Sequence, residues 1–166
     1  ALNALKTPPA LVITDSQAIK AVAALTPANI PLTTFSMLLA KNKGDFNRML
    51  AGAQAIDELK DGDKVLIAEG CSHRMTCDDI GRVKIPNLIK KHTGKELAFE
   101  FTAGHDFPAD LSPYALVIHC GGCVLNRAEI RRRLEQCTSQ NIKVTNYGMA
   151  ISHTQKTLTR TAAPLL

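Results

Sequence analysis

The sequence predicts an α/β chain made of two small parallel-sheet units, and three observations carry that prediction. Short apolar runs recur at 10–14, 30–35, 64–70, 97–101, 115–118 and 142–147. Stretches with apolar residues at helical spacing fall between most of them, so strands and helices alternate as they do around parallel sheets. Finally, Val65-Leu66-Ile67-Ala68 and Ala115-Leu116-Val117-Ile118 are apolar at every position, the pattern of strands covered on both faces.

In the first unit, Pro8-Pro9 precedes a strand over 10–14. Asp15 or Ser16 caps the next helix, whose apolar positions are Ile19, Val22, Ala23 and Leu25, and Pro27 ends it. The run 30–35 is expected to be the second strand. Asp45 then caps a longer helix with the stripe Phe46, Leu50, Ala53, Ile56 and Leu59, which Asp61-Gly62 closes. Two parallel strands cannot cover both of their faces, so a second copy of the chain is expected to complete this unit as a homodimer. The opening residues 1–6 read as the tail of a helix, and the chain is expected to be a piece of a longer protein.

The second unit begins at Asp63. Its first strand, 64–70, leads to Cys71, and a helix from Ile85-Pro86 to about His92 stops at Gly94. Leu97, Phe99 and Phe101 alternate with Glu96, Ala98 and Glu100, which marks an edge strand. The strand 115–118 is central. Asn126 with Glu129 resembles a capping box for a helix with core positions Ile130, Leu134 and Cys137. A strand over 142–147 and one last helix from Gly148 to about Arg160 complete a Rossmann-like α/β unit, with its first strand beside its third. Ligands of such sheets sit beyond the carboxyl ends of the strands.

Composition narrows the function classes. The chain has 166 residues, 45% hydrophobic and 21% charged, as a folded domain does. No apolar run approaches the ~20 residues that span a bilayer, so no membrane association is expected. A net charge of +5 with only 4% aromatic residues, and no reader motif, argues against nucleic acid as a partner. No GxxxxGK[ST] pattern occurs, which excludes a phosphate-binding loop of that type within these residues. Five cysteines with one tight Cys120-x-x-Cys123 pair point to a reducing, cytoplasmic setting.

Cys71-Ser72-His73 follows one buried strand and His119-Cys120-Gly121-Gly122-Cys123 follows another, with forty-five residues (74 to 118) between the histidines. The fold class brings both to one end of one sheet. Soft thiolates select zinc, copper(I) or iron–sulfur clusters, and spacing alone divides zinc and iron–sulfur evenly. Three thiolates suit three irons of a cubane, leaving the fourth for another ligand. Gly121 and Gly122 let the backbone curl towards that ligand. His73 and His119 flank the cysteines as ligands or as neighbours that orient them. Cys77 is ambiguous, and Cys137 is assigned to the core. His92 is expected to be a solvated helix-end side chain, His153 to lie on a packed or solvated helix face, and His105 to belong to a turn. A thiol-disulfide oxidoreductase built on Cys120 and Cys123 and a zinc-binding metalloenzyme remain the alternatives.

The combination Cys-x-His, then His-Cys-x-x-Cys, resembles the cluster signature of the HydF family, the GTPases of iron-iron hydrogenase maturation. So do Asp78-Asp79-Ile80-Gly81 with Val83-Lys84-Ile85-Pro86, the run Ala103-Gly104-His105-Asp106-Phe107-Pro108, and Thr145-Asn146-Tyr147-Gly148. The resemblance covers essentially the whole chain and implies part of a dimerisation domain over 1–62 and an iron–sulfur cluster-binding domain over 63–166, without the family's GTPase domain. It implies a four-iron, four-sulfur cluster on Cys71, Cys120 and Cys123, with His73 and His119 as conditional metal ligands. The implied role is a non-catalytic scaffold and carrier. It would receive a di-iron precursor bearing carbonyl and cyanide ligands from radical-SAM maturases and deliver it to the iron-iron hydrogenase catalytic subunit. Cationic Arg74, Lys84 and Arg127 are expected to help hold such an anionic cargo.

Overall fold

The computed structural model describes residues 6–70 and 79–166. The expected helical tail over 1–5, and Cys71, His73, Arg74 and Cys77, lie outside the described residues.

In the first unit, β1 (Val12–Thr14) and β2 (Leu32–Thr34) pair in parallel, Val12 opposite Leu32. Asp15 accepts the Gln17 N–H and opens a 3₁₀ turn (Ser16–Ala18) that continues into α1 (Ile19–Leu25). Ile19 is fully buried, whereas Leu25 is 80% exposed and takes no part in the expected stripe. The second strand is also shorter than expected. Thr34 ends it and at once caps α2 (Phe35–Lys43), its Oγ1 accepting the Met37 N–H at 3.3 Å. Met37, Leu38, Leu39 and Ala40, none of them branched at Cβ, favour helix, and no turn residue separates strand from helix to announce the change.

Asp45 caps α3 (Phe46–Gln54), which runs into a 3₁₀ turn, Ala55–Glu58. The face carrying Phe46, Met49 and Ala53 packs on the larger sheet against Val144.

That sheet has four parallel strands in the order β4 (Ala98–Thr102), β3 (Lys64–Ala68), β5 (Leu116–His119), β6 (Lys143–Asn146). The first strand of this unit lies beside the third and β4 is the edge, as the alternation predicted. One face of the sheet, with Leu66, Ala68, Val117 and Val144, is covered by α2, α3 and α5 (Arg127–Ser139). The opposite face, with Val65, Ile67, Leu116 and Ile118, is covered by α4 (Ile85–Thr93) and part of α6 (Tyr147–Thr154), and Ile19 and Leu32 of the first unit join it. Three layers around one sheet follow from central strands that are apolar on both faces over 65–68 and 116–118.

Helix ends show where sequence patterns needed correction. A wide helical turn (Ile80–Lys84), capped by Asp79, precedes α4 and was not anticipated. Gly94, at φ 68°, ends α4 as predicted. Asn146, the last residue of β6, caps α6 by accepting the Met149 N–H, so Tyr147 starts a helix rather than ending a strand. The single last helix is in fact two. The chain turns at Lys156 (φ 60°), and α7 (Leu158–Ala162) folds back to bury Leu158 and Ala162. Arg160 then donates to the Ala23, Thr26 and Pro27 carbonyls, satisfying the end of α1 and tying the two units together. Among the described residues, no helix is long and apolar enough to cross a membrane.

Candidate metal centre

β3 and β5 are neighbours, with Ala68 opposite His119, so their carboxyl ends open side by side. Cys120 follows β5 and its N–H donates to the Ala68 carbonyl at 2.8 Å. Gly70 N–H in turn donates to Cys120 Sγ at 3.0 Å, and Gly122 N–H approaches the same sulfur at 3.4 Å. Two backbone N–H groups point at one sulfur. The structure thus brings Cys120 against the residue that immediately precedes Cys71. Cys71 and His73 themselves lie outside the described residues. Cys123 is exposed, three residues along the same loop.

Two glycines make the loop possible. A Cβ on Gly70 would lie 2.9 Å from Leu125 and 3.2 Å from Cys120 Sγ. Gly122 sits at φ 66°, where a side chain would also meet Ile130 at 2.6 Å.

His119 is buried, and both of its ring nitrogens are engaged. Arginine can only donate, so Nε2 accepts from Arg133 Nη1 at 3.2 Å, and Nδ1–H donates to the Cys120 carbonyl at 2.8 Å. Burial pushes the His119 pKa down to about 4; the Cys120 carbonyl opposes this and the Arg133 charge adds to it. His119 is therefore a neutral imidazole that orients the Cys120 backbone, and binding a metal requires it to release one of these partners. Arg133 is itself only 2% exposed. It pairs with Glu129 at 2.7 Å, donates to the Gly104 carbonyl at 2.6 Å and lies over the Phe107 ring. The loop around Gly104 and Phe107 is thereby fastened to His119. Asn126 caps α5 through the Glu129 N–H, but the Glu129 carboxylate turns to Arg132 and Arg133, so only half of the expected capping box forms.

Hydrogen bonds from Arg132, then Arg133, lower the Glu129 pKa to about 2 against a small opposing effect of burial. A lowered folded-state pKa stabilises above the ordinary value of 4.5 and loses that stabilisation as pH falls towards 2. Chemical denaturation at successively lower pH should show a loss of about 1 kcal/mol, allowing for solvent screening, over this window. Glu129→Gln should flatten it.

Sequence reasoning missed four side chains at this edge. Lys43, at the end of α2, donates through Nζ to the carbonyls of Gly122 (3.2 Å), Cys123 (3.3 Å) and Leu125 (2.9 Å). One cation therefore gathers the carbonyls of the Cys120-x-x-Cys123 loop from the first unit. No motif announces it, because a lysine in the last turn of a helix reads as a solvated end. Lys43→Met should free the loop. Amide exchange over 121–125 is expected to rise about tenfold, equivalent to ~1.4 kcal/mol, while exchange in β3 and β5 stays unchanged. The second missed residue is Glu69, 3% exposed and paired with Arg82 at 3.2 Å, whose guanidinium lies over Phe101. Tyr147 is the third. Burial, then the negative charges of Glu69, Cys120 and Asp79, push its phenol pKa up. Glu69 Oε1 and Tyr147 Oη are buried without a hydrogen-bond partner among the described residues. Arg133 is the fourth, since one member of a basic run gave no sign of facing inward. Of the cations expected to hold cargo, Lys84 donates to Gln17.

No curated protein matches this chain. The family model of the hydrogen maturase F dimerization domain matches residues 1–44, and that of the hydrogen maturase F tetramerization domain matches residues 47–164. The second match alone covers well over half of the chain, and the chain belongs to the hydrogen maturase F family.

Proposed function

We propose that this chain is a scaffold in iron-iron hydrogenase maturation, in which Cys71, Cys120 and Cys123 hold a four-iron, four-sulfur cluster and carry a di-iron precursor for delivery. The observation that carries this reading is the Cys120 sulfur. It sits between adjacent strand ends, takes N–H bonds from Gly70 and Gly122, and adjoins the residue before Cys71. The donor set fits the group, because thiolates are the ordinary ligands of such clusters and backbone N–H groups offset their charge. Three cysteines leave one iron open, and that position supplies exchangeable binding when the cluster is present.

The chain's own residues prepare the site. Lys43 places positive charge on the loop carbonyls, close to an anionic ligand. His119, held by Arg133, orients Cys120 and becomes a metal ligand only by giving up a partner. His73 is kept as a conditional ligand on the motif alone. Glu69 and Tyr147 offer buried polar atoms without a hydrogen-bond partner among the described residues. The di-iron carbonyl and cyanide precursor is the cargo, radical-SAM maturases its source and the hydrogenase catalytic subunit its destination. Matches to models named for dimerisation and tetramerisation support a homo-oligomer. Ile13 and Phe35, exposed beside the two-stranded sheet, give the contact an apolar surface.

Anaerobic reconstitution with ferrous iron and sulfide tests this. About four irons and four sulfides per chain, with a paramagnetic signal on reduction, is the expected result. Folded protein that takes up less than one iron per chain overturns it.

A further inference from the structure

Asp57, His92 and His153 meet at the other pole of the larger sheet. Asp57 lies in the 3₁₀ turn Ala55–Glu58 just before β3, His92 in the last turn of α4, and His153 in the last turn of α6. Both helices run back from the carboxyl ends of parallel strands, so their last turns lie towards the amino ends, away from the Cys120 loop. Sequence reading left His92 as a solvated helix end and His153 on an unspecified helix face. In the structure their rings are 5.1 Å apart, edge to face, and mostly buried.

His92 Nε2 is 2.7 Å from Asp57 Oδ1, and His153 Nε2 is 3.0 Å from the same oxygen. The three candidate ligand atoms all lie within 4.8 Å of one another. His153 Nε2 is buried and, despite its approach to Asp57, has no hydrogen-bond partner among the described residues. A buried ring nitrogen in that position has a ligand's surroundings without a hydrogen bond to account for them. We infer that Asp57, His92 and His153 form a divalent transition-metal site, best suited to zinc, that clips the turn before β3 to α4 and α6.

The donor set supports zinc, because two imidazoles and one carboxylate are among its commonest ligands. Zinc bonds of about 2.0–2.2 Å put tetrahedral ligand atoms roughly 3.4 Å apart. The approaches of 2.7 and 3.0 Å to Asp57 thus need to open by roughly 0.7 and 0.4 Å. Burial raises the Asp57 pKa, but the hydrogen bond from His92 and the charge interactions with both imidazoles outweigh it and hold the carboxyl below its ordinary value. Asp57 is also 58% exposed, so an ion can enter and keep water in its fourth position. An ion held by three elements stabilises the fold by binding only when they are assembled.

Calorimetric titration of zinc into the chain with Cys71, Cys120 and Cys123 replaced by serine removes the competing thiolates. One bound equivalent is expected, weakened at least a hundredfold by His92→Gln or His153→Gln and about tenfold by Asp57→Asn. No binding by the serine-substituted chain, or equal binding by its His92→Gln form, overturns the site and leaves a hydrogen-bonded cluster only. Should the serine chain fail to fold, cobalt titration of the unsubstituted chain and of its His92→Gln variant decides. A tetrahedral difference spectrum without sulfur charge transfer supports the site; no difference between the two overturns it.

Discussion

Replacing Gly52 by alanine is expected to cost the fold about 3 kcal/mol or more, among the largest effects of any single methyl group. Gly52 lies on α3 where that helix crosses β6. A Cβ there would stand 2.0 Å from the Val144 carbonyl oxygen and 2.5 Å from its carbon. Both atoms belong to strand backbone paired with β5, so neither can move aside as a side chain tip would. The helix must lift instead, which exposes Met49, Ala53 and Val144. Gly62→Ala is the comparison. Gly62 is also a glycine, at φ 86°, but with open space around it, so its cost is the backbone preference alone, about 1 kcal/mol. Guanidinium midpoints measure both. Equal midpoints for the two variants would mean that α3 does not sit on β6 as described.

Serine at Cys71, Cys120 or Cys123 is expected to abolish cluster binding, with iron per chain falling from about four to near zero after reconstitution. The hydroxyl is a hard, far less acidic donor, and a cubane held at two corners is lost. Cys120 should show the sharpest failure, since Gly70 and Gly122 N–H groups are already aimed at its sulfur. Cys137 is the internal control. It is 1% exposed in the core beneath α5, and burial pushes its pKa up to about 12, so it is an inert thiol. Cys137→Ser should cost about 1–2 kcal/mol of stability for a buried hydroxyl and leave iron content unchanged.

The fold was legible wherever one physical pattern ruled a segment. Apolar runs marked β3 and β5 as central, alternation marked β4 as an edge, and Asp45, Asn126 and Gly94 punctuated their helices as read. Reading failed where one residue serves two elements. Thr34 and Asn146 each end a strand and cap a helix, so α2 was missed and the start of α6 was misplaced. It failed again at Lys156, where a left-handed residue breaks a helix without glycine or proline to mark the place. At the candidate site, residue type and strand-end position singled out Cys120, Cys123 and His119, which the structure places at and just beyond the end of β5. Lys43, Glu69 and Arg133 were hidden because their roles arise from distant packing. Asp57, His92 and His153, far apart in sequence, share no spacing that could have joined them.

The account depends on sulfur at the carboxyl end of the sheet holding iron. X-ray absorption at the iron and zinc edges of anaerobically isolated protein tests this most directly. The prediction is iron surrounded by sulfur, with any zinc surrounded by nitrogen and oxygen. Iron-free protein carrying zinc bonded to sulfur would contradict it.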